Sequence, residues 1–422
     1  MNSAESKPRA RVAEAAPHSG SYFPALDSIR AIGAIAVVAT HTSFSSGAYV
    51  RHGFWGPFLA HLDIGVAIFF VLSGFLLSRQ WLIRRFKDRP LPESRDYFWK
   101  RFLRIYPVYL VGIVPALLWV QQEPEFGPIR WITNLLMLDL YLYPSMPHGM
   151  TQMWSLATEV AFYILLPILI WVMVGRTKST RDGSATTGGS AVNGLRMGCV
   201  IASLFVINIG WFLVIPHLNV GPGTPALPQW LPGSIDWFAV GILFAWAELH
   251  IRVTKSQLPR PVQWLQALGS TPWSCYAMAV ALLLIASTPL TGPIYFDLPT
   301  SGEQITKNLF YALIGGLIVL PGVFAPTHGT FHSIMTGRIP RHLGLISYGI
   351  FCIHLPILSF VYWATPLTMF AGRGWLVFAL TLGLSVIAAE LIHRLVEVPS
   401  YRLRGLVAKK AGADRDSDSV SL

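Results

Sequence analysis

The chain has 422 residues, of which 53% are hydrophobic and only 13% are charged, and its mean hydropathy is +0.50. Soluble domains carry about 25% charged residues, so this composition excludes an ordinary soluble protein and indicates a polytopic membrane protein. The 32 Lys and Arg residues outnumber the 21 Asp and Glu residues, giving a net charge of +11. In a membrane protein such an excess marks cytoplasmic loops, and no nucleic-acid-binding module interrupts the apolar segments. We therefore expect membrane lipids, and no nucleic acid, as partners.

The two ends of the chain are polar. Residues 1–20 contain no apolar core, so they predict a disordered cytoplasmic arm rather than a signal peptide. Residues 406–422 combine mixed charges with serines and predict a disordered cytoplasmic tail. Residues 21–405 are predicted to form one membrane domain.

Ten apolar segments along the chain are each long enough to cross the hydrocarbon core of a bilayer as a helix. In chain order they lie near residues 25–46, 58–80, 102–120, 151–174, 196–216, 231–249, 272–290, 305–325, 343–363 and 375–394. The sequence contains no tandem repeat. We therefore predict an all-α fold, a polytopic integral membrane protein with about ten transmembrane helices.

The basic residues follow a pattern that fits ten spans. If the N-terminus is cytoplasmic, every predicted cytoplasmic loop is richer in Lys and Arg than every outer loop, as the positive-inside rule requires. The most basic cytoplasmic loop follows the second segment and holds nine such residues: Arg79, Arg84, Arg85, Lys87, Arg89, Arg95, Lys100, Arg101 and Arg104. The outer loops together hold only Arg51, Arg130, Lys307 and Arg373. The pattern predicts that both termini are cytoplasmic.

The first segment contains an arginine and a histidine, Arg30 and His41, within a run of small and apolar residues. Eleven residues turn an α-helix by about 1100°, which is three turns and about 20° more. Both side chains therefore lie on one face, roughly 16 Å apart along the helix. Small neighbours such as Gly33 and Ala34 let another helix or a ligand approach that face. Such a pair can line one groove, with Arg30 near its cytoplasmic mouth and His41 deeper.

Structural interpretations of this pair stay open at this level. Arg30 can extend to the cytoplasmic interface and pair with Asp27 one turn earlier. His41 can be a packing histidine near the outer end of the helix. The functional interpretation rests on the rarity of ionisable groups inside membranes, where they commonly mark functional sites.

Further polar residues fall within or beside later segments. Glu159 lies in "MWSLATEVAFYILLP", and because a buried carboxylate is costly unless it is paired, we expect it to face a cation such as Arg30. His354 and Asp236 lie in or at the ends of other segments, and either structural or functional roles suit them. Asp63 opens the stretch "DIGVAIFFVLSGF" in the second segment, and we expect it at the membrane interface.

A basic pair marks the entry to the third segment. In "WKRFLRIYPVY", Arg101 and Arg104 stand at i and i+3 and share one helix face. They suit either anionic lipid headgroups or a phosphate-rich cytosolic ligand. No glycine-rich nucleotide-binding pattern is present, and the three scattered cysteines give no metal-ligand spacing, so we expect no bound metal.

Six stretches resemble, in order, the motifs of the membrane-bound acyltransferase-3 family. They are "LDSIRAIGAIAVVATH", "DIGVAIFFVLSGFLLSR", "FWKRFLRIYPVY", "MWSLATEVAFYILLP", "LGLISYGIFCIHLPIL" and "EVPSYR". The first has the family's arginine, ten residues and histidine, and the fourth its tryptophan–serine–leucine–x–x–glutamate. Together they cover residues 26–402.

The resemblance implies an O-acyltransferase of the bacterial plasma membrane. Members move acetyl or other acyl groups, usually from an acyl-coenzyme A, onto hydroxyls of envelope carbohydrates, glycolipids or macrolide-type polyketides. Acyl-CoA, most simply acetyl-CoA, is then a donor substrate, and no bound cofactor is expected. Many members carry an additional esterase-like domain, whereas this chain resembles a stand-alone member.

The resemblance also assigns roles by position in the motifs. It implies that His41 acts as general base on the acceptor hydroxyl or, in a rival mechanism, carries the acyl group transiently. Arg30 would hold the donor near the cytoplasmic mouth. The full expectation is a catalytic set of His41, Arg30 and Glu159, donor-binding residues Arg101, Arg104 and Ser73, and substrate-binding residues Trp154 and His354.

A membrane transporter or flippase is the alternative function, for a lipid-linked or small-molecule substrate. Such proteins also place charges within a bundle of about ten spans. The lack of an internal repeat and the ordered motifs favour the enzyme. A lipid-sensing protein would give no reason for a histidine three turns from an arginine on one face.

Overall fold

The computed structural model of the chain describes residues 22–86, 91–120, 127–174, 194–218, 226–253, 258–294 and 298–403. Helices account for 83% of these residues, and no strand occurs among them. The predicted all-α class is confirmed for this part of the chain. The predicted arm at 1–20 and the predicted tail at 406–422 lie outside the described residues.

The α-helices are numbered in chain order. The first nine are α1 (Pro24–Ser45), α2 (Ala48–Arg51), α3 (Trp55–Ala60), α4 (Ile64–Phe86), α5 (Ser94–Pro115), α6 (Pro128–Leu135), α7 (Asp139–Leu142), α8 (Trp154–Val174) and α9 (Gly194–Val214). They are followed by α10 (Ile235–Val253), α11 (Arg260–Gly269), α12 (Pro272–Ala286), α13 (Ser301–Phe324), α14 (Thr330–Met335), α15 (Arg338–Leu345), α16 (Ser347–Ala364), α17 (Gly374–Ile392) and α18 (Val398–Arg402). Short 3-10 turns lie at His61–Asp63, Thr151–Met153, Ile215–His217, Leu227–Gln229, Leu231–Gly233 and Pro289–Thr291, and π-helical turns at Ala116–Val120 and His393–Glu397.

Seven stretches of helix in the described ranges are long and apolar enough to cross a membrane. They are Trp55–Arg84, Ser94–Val120, Thr151–Val174, Gly194–His217, Ser301–Phe324, Ser347–Ala364 and Gly374–Arg402. The pair α11 and α12, bent by 91°, would make an eighth if it forms one broken span. The sequence predicts ten segments, and each of them overlaps a helix of the structure.

The two predicted segments that are missing from these spans form α1 and α10. Both helices pack inside the bundle and carry buried polar side chains, among them Thr42 in α1 and Asp236 and Glu248 in α10. A helix surrounded by other helices does not need the apolar surface that lipid requires of a peripheral one. Apolarity alone therefore supports seven or eight spans.

Glycines bring the central helices into close contact. A Cβ atom added at Gly74 of α4 would lie 2.3 Å from the carbonyl oxygen of Phe238 in α10, and one at Gly241 would lie 2.1 Å from that of Val71. Real Cβ atoms do not approach so closely, so only glycine permits this packing. The contact fixes α4 against α10 and so orients the cavity-lining face of α4.

A buried ion cluster joins the same two helices. Arg79 of α4 donates from Nε and Nη2 to the carboxylate of Glu248, at 2.8 and 3.2 Å. Arg252, one turn further along α10, contacts the same carboxylate at 2.8 Å. Glu248 is fully buried, so its charge is compensated inside the bundle by two guanidiniums.

Candidate functional site

α1 carries Arg30 near its start and His41 near its end. Pro24 and Ala25 begin the helix directly after Phe23, and proline suits the first turn because its missing N–H needs no partner there. Arg30 donates to Asp27 at 2.8 Å, and its side chain is 20% exposed. The structure therefore forms the Asp27 pair that sequence analysis left open as a structural interpretation.

A first cavity, of about 230 Å³, opens beside the beginning of α1. The polar residues that line it come from five helices and from the segment before α1: Tyr22, Asp27, Arg30, Ser73, Gln80, Arg101, Arg104, Ser155, Glu159, Tyr163, Ser347 and Tyr348. Five of the eight predicted site residues, Arg30, Ser73, Arg101, Arg104 and Glu159, therefore share one cavity. Three of those five are guanidiniums, so the cavity favours an anionic ligand.

Glu159 holds its carboxylate with hydroxyls rather than with a direct cation. Ser73 of α4 donates to one carboxylate oxygen, and Tyr163 donates to the same oxygen at 2.8 Å. Sequence analysis predicted an ion pair, but among the described residues no Lys, Arg or His nitrogen lies within 4.0 Å of this carboxylate. The two hydroxyls take over the role expected of a cation, because hydrogen bonds also stabilise a buried carboxylate.

Arg101 and Arg104 enter the cavity from the first turns of α5. Arg101 is packed against two aromatic rings, with its guanidinium carbon 5.9 Å from the centre of Tyr97 and 5.8 Å from that of Tyr163. Its one hydrogen bond to a described side chain, from Nη2 to Gln80, is long at 3.4 Å, and its Nε is buried without a partner. Arg104 makes no hydrogen bond or ion pair with any residue in the described ranges. The Nε of Arg101 is sealed from the cavity, whereas the terminal nitrogens of Arg101 and the whole guanidinium of Arg104 keep donors available for a ligand.

A second and larger cavity, of about 570 Å³, lies at the opposite end of α1. His41 and Trp154 line it, together with polar residues Thr40, Tyr49, His61, Asp63, Gln152, Gln229, Ser234, Thr291, Gln304, Lys307, Asn308 and Tyr311. Trp154 is the first residue of α8, and it follows the 3-10 turn at Thr151–Met153. The arginine and the histidine of the first motif thus line two different cavities.

The second cavity contains a polar cluster that sequence analysis missed. Asp63 accepts from Lys307 at 2.9 Å and from the hydroxyl of Tyr311. His61 bonds Thr291 at 2.9 Å beside this group. Sequence analysis expected Asp63 at the membrane interface and gave no sign of these partners, with which it forms part of a cavity wall. Asp63 lies more than 240 residues from Tyr311 and Lys307 in the sequence, so no local sequence pattern indicates these contacts.

His41 is held by two neighbours. Its Nδ1 lies 2.9 Å from the carbonyl oxygen of Val37 and 3.2 Å from Nε2 of His354. His354 belongs to α16, is fully buried and lines neither cavity. His354, predicted to bind substrate, therefore contacts His41 rather than the space of either cavity.

Aromatic rings separate the two cavities. Phe69 and Phe351 line the first cavity with ring centres 5.8 Å apart, and Phe351 in turn lies 6.0 Å from the ring of His354. Phe70, also in the first cavity, meets Trp154 of the second edge-on at 6.2 Å. An anion bound at the arginines and a hydroxyl compound beside His41 would thus occupy separate compartments with a thin aromatic partition.

A family model described as an acyltransferase domain matches residues 23–394. The chain belongs to this family. The matched range contains every predicted site residue and, apart from Tyr22, every residue that lines the two cavities. The domain is thereby placed among enzymes that transfer acyl groups, as the sequence motifs predict.

Curated relatives match most of the length of this chain. The peptidoglycan O-acetyltransferase OatA of Listeria monocytogenes is 25% identical over 405 residues, 90% of this chain and 56% of its own length. The putative peptidoglycan O-acetyltransferase YrhL of Bacillus subtilis is 23% identical, and the match covers 90% of this chain and 55% of the relative's own length. A putative O-acetyltransferase of Staphylococcus aureus is 22% identical, and the match covers 92% of this chain and 58% of the relative's own length. The chain spans little more than half the length of these relatives, and no solved structure matches it significantly.

Proposed function

We propose that the chain is a membrane O-acyltransferase that moves an acetyl group, or another acyl group, from acyl-CoA to a hydroxyl of a cell-envelope carbohydrate. The relatives named as peptidoglycan O-acetyltransferases favour a carbohydrate over a glycolipid or a polyketide acceptor. The observation that carries the proposal is the division of one helix between two cavities. Arg30 lies in the basic one, and His41 lies in the other.

The first cavity supports the choice of donor. Coenzyme A carries several phosphate charges, and arginine binds phosphate through paired N–H donors. Arg101 and Arg104 keep such donors available at the cavity, and Arg30 lies with them. The phosphates would stay at these arginines while the flexible arm of coenzyme A extends along α1 towards His41, roughly 16 Å from Arg30. This path requires the aromatic side chains between the two cavities, such as Phe69 and Phe351, to move aside when the donor binds.

The second cavity suits a polar acceptor. Its walls carry hydroxyls, amides and the Asp63–Lys307 pair, which match the hydroxyl and amide groups of a carbohydrate. His41 is partly exposed there, and its Nε2 has no hydrogen-bond partner in the described ranges yet is not sealed from the cavity. An acceptor hydroxyl can therefore approach this nitrogen.

The proposed reaction is direct transfer with His41 as general base. The acceptor hydroxyl gives its proton to His41 while its oxygen forms a bond to the thioester carbonyl carbon. The carbon–sulfur bond breaks, and the leaving thiolate takes the proton from the imidazolium. The products are an ester and free coenzyme A. In the rival sequence, His41 first attacks the thioester and the hydroxyl then displaces it from the acyl-imidazole.

We also propose ten spans in the bacterial plasma membrane, with both termini in the cytoplasm. This adds α1, α10 and the α11–α12 pair to the seven apolar spans. The first cavity is then cytoplasmic, where acyl-CoA is available, and the second opens towards the envelope. Labelling of single introduced cysteines with a membrane-impermeant maleimide tests this arrangement. We expect Gly53→Cys to react in intact cells and Arg95→Cys to react only after lysis.

The test of function is thiol release by purified protein in detergent. Acetyl-CoA and longer acyl-CoAs are supplied with a solubilised glycan or envelope extract, and wild type is compared with His41→Ala. We expect release that needs both the extract and His41, with a product heavier by one acyl group in mass spectrometry. Release from a folded His41→Ala protein at the wild-type rate would contradict the catalytic assignment. Transport without acylation of the same compounds in vesicles would favour the alternative of a transporter or flippase.

A further inference from the structure

The contact between His41 and His354 determines which nitrogen of each ring carries a proton. Nδ1 of His354 lies 2.8 Å from the carbonyl oxygen of Phe351. A carbonyl oxygen only accepts, so this nitrogen must donate and carries the proton. His354 is fully buried, and burial disfavours a second proton with its charge. Its Nε2 is therefore an acceptor.

The same reasoning applies to His41. Its Nδ1 lies between two acceptors, the carbonyl oxygen of Val37 at 2.9 Å and Nε2 of His354 at 3.2 Å. Each of these two atoms can only accept a hydrogen bond from Nδ1 of His41. Nδ1 therefore carries the proton, and its N–H is shared between the two acceptors. A neutral imidazole has one N–H, which leaves Nε2 of His41 as an open lone pair. This is the nitrogen that has no partner and is not sealed from the second cavity.

We propose that His354 is a positioning residue that fixes the tautomer and the ring orientation of His41, so that Nε2 is the atom that takes the acceptor's proton. The inference rests on the proposed function for the identity of that proton. His354 then acts through His41 and does not touch the substrate. It replaces the carboxylate that commonly orients a catalytic histidine.

The arrangement also suits the charged state that follows. When Nε2 takes the hydroxyl proton, the ring becomes an imidazolium and its Nδ1–H becomes a stronger donor. Both neighbours of Nδ1 remain acceptors, so the hydrogen bonds strengthen without any rearrangement. Without His354, only the Val37 carbonyl holds the ring, and rotation of the ring by half a turn about Cβ–Cγ would put Cε1 where Nε2 faces the cavity, so that no lone pair would meet the acceptor hydroxyl.

Two variants separate positioning from packing. His354→Phe keeps a planar ring of similar size but has no acceptor, whereas His354→Gln supplies an amide oxygen near the former Nε2. We expect kcat of His354→Phe to fall on the order of 100-fold, with the KM of donor and acceptor within about twofold of wild type. We expect kcat of His354→Gln to be at least about tenfold higher than kcat of His354→Phe. Wild-type kcat in a folded His354→Phe, equal losses in both variants, or a rise confined to one KM would each overturn the proposal.

A spectroscopic measurement tests the tautomer of His41 independently of turnover, and its comparison with His354→Phe, in which we expect both tautomers to be populated, tests the part that His354 plays in fixing it. The protein is labelled with ¹⁵N-histidine in detergent, and the His41 signals are assigned by their loss in His41→Gln. We expect a protonated Nδ1 and a bare Nε2 on His41 near neutral pH. A protonated Nε2 would overturn the proposal even if His354→Phe failed to fold. Because the tautomer is measured on wild type, absence of any acyl transfer would count against the proposed function alone.

Discussion

Ser73 donates a hydrogen bond to the carboxylate of Glu159 and so joins α4 to α8 inside the basic cavity. This carboxylate lies in the same cavity as three guanidiniums, of which Arg101 and Arg104 form no ion pair with any described residue. Its charge therefore offsets repulsion among arginines that, under the proposed function, wait for the phosphates of a donor.

Replacing Glu159 by glutamine should lower stability in the absence of donor. The amide oxygen can still accept from Tyr163, but the charge that offsets the arginines is lost, and we expect a loss of about 1–2 kcal/mol. Coenzyme A, which supplies negative charge, should then raise the melting temperature of Glu159→Gln by more than it raises that of wild type. Thermal unfolding in detergent, with and without coenzyme A, measures both effects.

Ser73→Ala is the matched control for this experiment. It removes one hydrogen bond from the same carboxylate and leaves the charge in place. We expect a lower melting temperature with a coenzyme A increment equal to that of wild type. An equal increment in Glu159→Gln would show that the charge of Glu159 has no part in balancing the arginines.

The double change Arg101→Ala with Arg104→Ala should weaken donor binding selectively. A hydrogen bond between charged groups contributes about 1.5–3 kcal/mol, so we expect the KM for acyl-CoA to rise on the order of 100-fold while the acceptor KM changes little. Steady-state thiol release at varied donor and acceptor concentrations measures the two constants. Arg95→Ala, an exposed residue on the same helix outside the cavity, is the control. A similar rise in both constants would point to a lipid or folding role for the pair.

The one-dimensional patterns predicted the helices better than they predicted the partners of their polar residues. The eleven-residue spacing placed Arg30 and His41 on one helix face, but it gave no sign that they line different cavities. The position of Asp63 in the sequence predicted only a place at the interface, because its partner Lys307 lies 244 residues away and left no local sign. The contact of His41 with His354 spans 313 residues. Such pairs follow from tertiary packing, which helical periodicity does not encode.

The Asp63–Lys307 pair leads to a prediction for the second cavity. Lys307 has three donors, and one of them contacts Asp63 at 2.9 Å. Lys307→Met keeps much of the side-chain volume and removes these donors, so we expect the acceptor KM to rise on the order of tenfold. The donor KM should not change, because Lys307 does not line the first cavity. Lys307→Arg should restore most of the acceptor affinity, whereas a rise in the donor KM would contradict the separation of the two cavities.

The buried cluster of Arg79, Glu248 and Arg252 gives a prediction about stability alone. Glu248→Gln removes the charge that compensates two guanidiniums inside the bundle, and breaking a buried pair in this way costs about 3–5 kcal/mol. Asp96→Asn is the matched control. Asp96 pairs with Lys100 at 3.5 Å, and the two are four residues apart, as Glu248 and Arg252 are, but the Lys100 side chain is 51% exposed. That pair should contribute no more than about 1 kcal/mol. Unfolding in mixed micelles measures both, and equal losses would mean that burial of Glu248 does not determine the strength of its ion pairs.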